Sequence, residues 1–287
     1  MSQKQAQKPT LASQAPTRPV SQAALPTGRG NAAAAESTKL NVLNSQRPGT
    51  PEAAARPPDL SALARLGYTV YPIAQVDVLY SAAKAGKDKP LAEQPQGKGG
   101  YDAVLSGTFT TDYVQSAGPI MRNGKMDTQG HEKAKNRGGM AVLADGSIVV
   151  GRAQGRTSEE VQASFGSKGN PVTDFMGGGA LLVEGGRAVS DADLRTSQRF
   201  DQGGGGINAQ QMRSTNHVLV GIRDGQAFAI VATDKSGAQM QKELMANGFD
   251  AVVKYDGGSG GFARDGAGGA PEYRGVNTTG MGIRQRK

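Results

Sequence analysis

A carboxylate at the head of a glycine-rich run is the clearest chemical feature of this sequence. Asp256 opens the run Asp-Gly-Gly-Ser-Gly-Gly, which follows the short apolar stretch 251–255. Glycines let a ligand approach the main chain closely and turn backbone N–H groups toward it. A carboxylate fixed by the preceding strand would then face whatever the run holds. The pattern also fits a glycine linker that happens to follow an aspartate, because 42 of the 287 residues are glycine.

The residues before this run predict the elements that position it. Two apolar runs, 218–222 and 227–232, flank Asp224-Gly225, and Asp-Gly between such runs is a strong hairpin signal. A helix is expected at about 237–247, with its apolar residues on one face. Gly248 would end that helix, since glycine adopts the left-handed C′ conformation without steric cost. Strand, helix and strand therefore lead into the glycine run.

Asp234 is a second candidate carboxylate, placed between the second apolar run and the helix. Aspartate and serine are both preferred helix N-caps, so Asp234 or Ser236 can cap the helix. The other interpretation is that Asp234 faces the same cleft as Asp256. Both interpretations stand at this point.

The order of these motifs resembles that of the phosphodiester glycosidase family. In the family's signature, a strand ending in Gly-Ile, a turn and a strand ending near Asp come first. A helix led by Ser or Gly and a small-residue strand then lead into Asp-Gly-Gly-Gly-Ser. The resemblance covers about residues 68–283 and is best over 213–260. The matching segments are Gly178–Val183, Val220–Ile222, Asp234, Ser236-Gly237, Gly248–Ala251, Asp256–Ser259 and Arg274–Asn277.

The resemblance implies an enzyme, a hydrolase that cleaves the sugar–phosphate bond of a sugar-1-phosphodiester. Glycosidases generally use two carboxylates, one as acid or base and one as nucleophile or base. Asp256 and Asp234 are the candidates for these catalytic roles.

Substrate binding is assigned to groups that suit a phosphate or a sugar hydroxyl. Arg213 is expected to grip the phosphate, because a guanidinium presents a planar fork to two oxygens. Its alternative is an ordinary solvent-exposed charge. The remaining substrate-binding candidates are the backbone N–H groups of Gly257, Gly258 and Ser259 and the side chains of Ser106, Thr108 and His217.

Two departures from the family pattern keep a second function open. Ser106 stands where the family carries asparagine, and a hydroxyl lacks the two amide donors. His217 stands where the family carries arginine, and Arg213 lies four residues earlier. The alternative function is a non-catalytic relative that binds a phosphorylated glycan or a host protein. The structural alternatives are a plain strand terminus for Ser106 and a surface histidine at a strand start for His217.

The predicted fold class is α+β, with a mixed, largely antiparallel sheet and few helices. Further hairpins are expected around Asp145-Gly146 and around 184–186, and a polar loop is expected over 190–206. The domain is predicted to span 61–287. Residues 1–60 are rich in Gln, Ala, Ser, Thr and Pro, so this segment is expected to be disordered.

The composition of the chain limits which cofactors and partners are expected. The chain has no cysteine and 2 histidines without a pairing spacing, so no thiolate site and no metal site are predicted. Carboxylates and glycine carbonyls could hold a divalent cation, but no calcium-loop motif supports one, and no cofactor is expected. The net charge of +8 is spread along the chain without interleaved aromatics, which disfavours nucleic acid as a partner. The expected partner is the sugar phosphodiester, and no protein partner is indicated.

Localisation is predicted from what the N-terminus contains. It carries no apolar core of signal-peptide length, and no run reaches the length of a membrane span. The protein is expected to be cytoplasmic or exported by a non-Sec route. Residues 1–60 are interpreted either as a passive tail or as an export signal of the kind that bacterial effectors carry.

Overall fold

The computed structural model describes residues 59–80, 100–108, 110–111, 115–199, 215–257, 263–265 and 279–286. The expectation of disorder over 1–60 lies outside these ranges, apart from residues 59 and 60.

Strands dominate the described chain, with few helices between them. The α-helices are α1 (Ser61–Arg65), α2 (Ser158–Phe165), α3 (Asp191–Thr196) and α4 (Gly237–Ala246). The strands are β1 (Tyr68–Tyr80), β2 (Ala103–Ser106), β3 (Thr110–Thr111), β4 (Gln115–Ser116), β5 (Ile120–Arg122), β6 (Lys125–Thr128), β7 (Gly138–Leu143), β8 (Ile148–Arg152), β9 (Val172–Glu184), β10 (Arg187–Ala188), β11 (Thr215–Arg223), β12 (Gln226–Lys235), β13 (Phe249–Gly257), β14 (Ala263–Asp265) and β15 (Thr279–Gln285). This content confirms the predicted α+β class.

One 13-stranded sheet carries the fold, in the order β14-β2-β15-β1-β12-β11-β13-β9-β5-β6. β7 and β10 also pair with β9, and β8 pairs with β7. Every pairing among these described strands is antiparallel. The largely antiparallel prediction is therefore confirmed. β12 and β13 run in the same direction, as a crossover through α4 requires, but β11 lies between them and keeps them apart.

The β11–β12 hairpin forms where the sequence predicts it. Arg223 pairs with Gln226, and both residues between them adopt left-handed backbone angles, with φ of 48° at Asp224 and 69° at Gly225. A two-residue turn of this kind matches the right-handed twist of the strands it joins. The turn fixes the register of the β11–β12 pairing, and this register decides which residues face each other at the opposite end of the hairpin.

α4 also begins and ends where the sequence signals are. Ser236 caps it, since its hydroxyl accepts a hydrogen bond from the Gln239 N–H at 3.2 Å. Gly248 follows with φ of 81°. The helix buries Met240 and Leu244 and anchors itself on the sheet through Gln241, whose amide donates to the Leu182 and Val189 carbonyls at 2.9 Å each.

One local prediction is wrong. The stretch expected to be a polar loop over 190–206 contains α3, which Ser190 caps by accepting from the Asp193 N–H at 3.1 Å. Leu194 is the buried residue of this helix, and its Asp193 forms an ion pair with Arg152 at 2.8 Å. A cap, one apolar anchor and one ion pair are enough to order a short polar helix that carries no clear hydrophobic period.

Candidate active site

The amino end of β11 lies between the carboxyl ends of β12 and β13. His217 pairs with Ala232 of β12 on one side and with Gly257 of β13 on the other. Asp234 follows Ala232 by two residues, and Asp256 precedes Gly257 by one. The backbones that carry the two candidate carboxylates therefore reach the same end of the sheet, one strand apart on either side of His217.

A bulge interrupts β12 at this end of the sheet. From His217 to Thr215, β11 advances two residues while β12 advances three, from Ala232 to Lys235. The extra residue lies in the Thr233-Asp234 pair, where Asp234 has a left-handed φ of 52°. Bulges bend a strand and re-aim its side chains, and they are frequent beside active sites.

A bulge of the same size interrupts β13. From Leu219 to His217, β11 advances two residues while β13 advances three, from Lys254 to Gly257. The extra residue lies in the Tyr255-Asp256 pair. The backbone of Asp256 is described, and its side chain lies outside the described atoms. Both predicted carboxylate positions thus fall in bulges, which the sequence did not reveal.

Asp234 is exposed, and it does not cap α4, since Ser236 fills that role. The capping interpretation of Asp234 is therefore wrong. The reason is geometric, because the left-handed turn of the chain at Asp234 leaves the cap position two residues later. Its carboxylate is accessible to solvent at the junction between β12 and α4.

His217 is fully buried, so the interpretation of a surface histidine is wrong. Its Nε2 lies 2.8 Å from the Lys235 carbonyl oxygen. A carbonyl only accepts, so Nε2 carries the proton in this bond. The ring thereby ties the amino end of β11 to the residue that closes the β12 bulge.

Lys235 extends this attachment to α4 and β1. Its ammonium group contacts both carboxylate oxygens of Glu243, at 3.0 and 3.2 Å, and lies 5.0 Å from the centre of the Tyr68 ring. Tyr68 also donates to Glu243 at 2.7 Å. Burial, together with this bond to a carboxylate, raises the pKa of Tyr68. The cluster holds the β12–α4 junction in a single arrangement.

The predicted pocket residues Ser106 and Thr108 are both buried at the end of β2. Ser106 pairs with Gly280 of β15, and the Gly107 N–H donates to the Thr279 carbonyl at 3.0 Å. The Thr279 hydroxyl donates to the Thr108 carbonyl at 2.8 Å. Within the described part of the chain, the Thr108 hydroxyl has no hydrogen-bond partner.

Two connections bring the Ser106–Thr108 turn to the region of β13. The glycine run leaves Gly257 beside His217 and arrives at Ala263, which pairs with Leu105 next to Ser106. Six residue steps span at most about 20 Å, which sets an upper limit on the distance between these two strand ends. On the other route, the turn packs against β9, because a Cβ on Gly178 would lie 2.6 Å from the Thr108 hydroxyl. Tyr255 of β13 donates to the Met176 carbonyl of the same β9 segment at 2.8 Å.

The remaining predicted residues fall outside the described chain. Arg213, Gly258 and Ser259 are among them, and Gly257 is described by its backbone alone. The structure adds Lys254 and Thr279, which sequence reasoning missed. The only signal for Lys254 was a charge inside the apolar stretch Ala251–Tyr255, and nothing in the sequence marked Thr279.

The side chains of the described chain include no group of three or more His, Cys, Asp or Glu that could hold a metal ion. Among its helices, none has the length and apolar character needed to cross a bilayer.

No protein-family model matches the sequence, and no curated protein does. The structure is similar to the catalytic domain of zebrafish N-acetylglucosamine-1-phosphodiester alpha-N-acetylglucosaminidase, auto-inhibited by its pro-peptide. The TM-score is 0.55 and the identity is 16%, over 74% of this chain and 73% of that one. A hypothetical protein from Synechocystis gives 0.46 and 13%, over 77% and 57%. An exported-protein candidate from Burkholderia pseudomallei gives 0.49 and 11%, over 76% and 71%.

The likeness to the zebrafish domain shows a shared fold, as the resemblance in the sequence led us to expect. At 16% identity it shows a distant relationship of folds and nothing of activity.

Proposed function

We propose that this protein is a hydrolase that cleaves the bond between sugar and phosphate in a sugar-1-phosphodiester, with Asp256 and Asp234 as its carboxylates. One observation carries the proposal. Two bulged strand ends, each bearing one aspartate, flank His217 at the same end of the sheet. A paired carboxylate site needs two such groups reaching one substrate from different strands.

Cleavage of this sugar–phosphate bond needs little acid catalysis. The leaving group is a phosphate monoester, which departs readily, so the demand falls on stabilising the oxocarbenium-like sugar and the phosphate charge. In this proposal Asp256 acts as nucleophile or base and Asp234 as its partner carboxylate. Groups fixed before the reaction stabilise developing charge without reorganising, and the tied bulges supply that rigidity.

Phosphate and sugar recognition is assigned to the residues around the carboxylates. Arg213 and the N–H groups of Gly257, Gly258 and Ser259 bind the phosphate in this proposal. Thr108 and Ser106 contribute hydroxyls from the β2 end, and the buried Thr108 hydroxyl has a donor to offer.

The test is release of free sugar from a panel of sugar-1-phosphodiesters that includes an N-acetylglucosamine-1-phosphodiester. Asp256→Asn and Asp234→Asn are each expected to lower kcat by at least about a hundred-fold. The matched control is Asp224→Asn, an exposed aspartate in the turn at the opposite end of the same hairpin. Asparagine tolerates the left-handed conformation that positions 224 and 234 share. Full activity in both site variants would remove the glycosidase proposal.

A non-catalytic binding function is the second candidate, and the position of His217 favours it. The side chain that stands where the family carries arginine is buried against the Lys235 carbonyl. It therefore supplies no guanidinium fork to a phosphate. Under this function, the wild-type protein and the asparagine variants bind a sugar phosphodiester without releasing sugar.

The domain boundary near residue 60 and the export role of residues 1–60 stay predictions. Deleting 1–60 and measuring sugar release from the remaining chain separates the two segments. Activity retained by residues 61–287 would support the proposed boundary.

A further inference from the structure

Lys254 is out of place in its strand. It is 1% exposed and stands in the central strand β13, paired with Leu219 of β11 and Ala180 of β9. An ammonium group removed from water is costly unless it is hydrogen-bonded. An apolar side chain of similar length would fill the same volume without that cost, so packing does not explain a lysine here.

The Lys254 ammonium reaches forward along its own strand. Its Nζ donates to the Tyr255 carbonyl oxygen at 2.9 Å. Tyr255 and Asp256 are the two residues inside the β13 bulge. The ammonium group therefore contacts the backbone of the bulge that carries the candidate catalytic carboxylate.

The β12 bulge has a matching arrangement. There, the Nε2 of His217 bonds the carbonyl of Lys235, the residue at which that bulge ends. Each bulge thus has one buried side-chain donor on a nearby carbonyl, which belongs to a bulge residue in β13 and to the residue after the bulge in β12. Each of these carbonyls belongs to a residue next to a predicted catalytic aspartate.

We propose that Lys254 is a positioning residue. Its ammonium group holds the β13 bulge through the Tyr255 carbonyl and so fixes the backbone from which Asp256 extends. The inference deepens the proposed function and rests on it for the role of Asp256. The bulge itself can be tested without any activity.

The experiment compares full-length wild type with Lys254→Met and Lys254→Gln, by amide hydrogen exchange and by sugar-release kinetics. Methionine and glutamine are each one atom shorter than lysine, and of the two only glutamine keeps an N–H donor. Lys254→Met is expected to speed exchange at Gly257 by about ten-fold or more and to leave Val252, deeper in the same strand, near the wild-type rate. Its kcat is expected to fall about ten-fold with KM nearly unchanged, because the variant misplaces the Asp256 carboxylate without weakening substrate binding.

Lys254→Gln is expected to keep Gly257 protected and to recover part of kcat, and it carries the test if the methionine variant does not fold. Lys242→Met, at an exposed lysine of α4, is the control for loss of a charge. Wild-type exchange at Gly257 in the methionine variant would overturn the proposal. Equal acceleration at Val252 and Gly257, or loss of protection at Gly257 in the glutamine variant, would overturn it as well. If the wild type releases no sugar, the function proposal fails, and the exchange data alone decide the role of Lys254.

Discussion

At the scale of single residues, the positions near the candidate site that are hardest to substitute are glycines with no room for a Cβ atom. Gly118 contacts the β9 backbone so closely that a Cβ there would lie 2.0 Å from the Gly177 carbonyl oxygen. Backbone cannot move aside as a flexible side chain can. The segment of β9 concerned is the one against which Thr108 packs.

Gly118→Ala is therefore expected to lower the free energy of unfolding by about 3 kcal/mol, as overpacking of a tight interior does. Urea denaturation measures it. The matched control is Gly151→Ala, where the nearest atom to an added Cβ would be Phe165 at 3.4 Å, an ordinary contact. If the two variants lose the same stability, the close approach at Gly118 is not real.

Thr108 and Thr279 form a second pair of residues with opposite expectations. The Thr279 hydroxyl is bonded to the Thr108 carbonyl, whereas the Thr108 hydroxyl is buried without a partner in the described chain. Replacing an unsatisfied buried hydroxyl by a methyl group of the same shape is neutral or favourable, whereas breaking a satisfied bond leaves a carbonyl unpaired.

Thr108→Val is expected to leave the free energy of unfolding unchanged or to raise it by up to about 1 kcal/mol, and Thr279→Val to lower it by about 1 kcal/mol. Thermal and urea unfolding of both variants give the comparison. Thr108→Val is also expected to raise KM in the sugar-release assay, because the Thr108 hydroxyl binds the substrate in the proposed function. A destabilised Thr108→Val variant with unchanged KM would make that hydroxyl a structural group.

At the scale of elements, the junction of β12 and α4 depends on one carboxylate. Burial alone would raise the pKa of Glu243, but hydrogen bonds from Tyr68, Gln239 and Lys235 outweigh it and hold the pKa below its ordinary value of 4.5. A carboxyl group whose pKa is lowered by folding stabilises the folded state above its ordinary pKa. That contribution is lost as the pH falls through the lowered value.

Glu243→Gln is expected to lower the free energy of unfolding at pH 7 by about 2 kcal/mol, since bonds to a charged group are stronger than neutral ones. Wild type and variant should converge as the pH falls below about 4.5. Urea unfolding from pH 7 to pH 3 follows that difference. A difference that stays constant over this range would mean that the charge of Glu243 does not hold the junction.

Elements also show where the sequence is informative. The Asp224-Gly225 turn, α4 and Gly248 were all predictable, because a few neighbouring residues decide each of them. The two bulges were not, since an extra residue in β12 or β13 exists only relative to β11. For the same reason, the sequence did not show that β11 lies between the strands that bear Asp234 and Asp256. A buried lysine or histidine could not be recognised before its strand was known to be central.

At the scale of the whole molecule, strands that are far apart in the order of the sheet come into contact. Gly107, after β2, would place a Cβ 2.6 Å from the sulfur of Met176 in β9, although several strands separate β2 from β9 in the sheet. Tyr255 of β13 donates to the carbonyl of that same Met176. The end of β2 and the end of β13 therefore both contact Met176.

Tyr255 makes this contact between β13 and β9 sensitive to alkaline pH. Complete burial raises the pKa of Tyr255 well above its ordinary value of 10.0. Folding therefore favours the protonated phenol, and the stabilisation is fully present below pH 10. Above that pH the unfolded chain loses the proton while the folded chain keeps it, so the free energy of unfolding should fall by about 1.4 kcal/mol per pH unit from this group.

Tyr255→Phe is expected to cost about 1 kcal/mol at pH 8, where it removes one buried hydrogen bond. It should also make the decline above pH 10 shallower by the amount that Tyr255 contributes, so that the variant overtakes the wild type near pH 11. Urea unfolding from pH 8 to pH 11.5 measures both effects, and titration of the lysines cancels in the difference. Parallel curves for wild type and Tyr255→Phe would show that the phenol ionises as freely in the folded protein as in the unfolded chain, which would contradict its buried hydrogen bond to Met176.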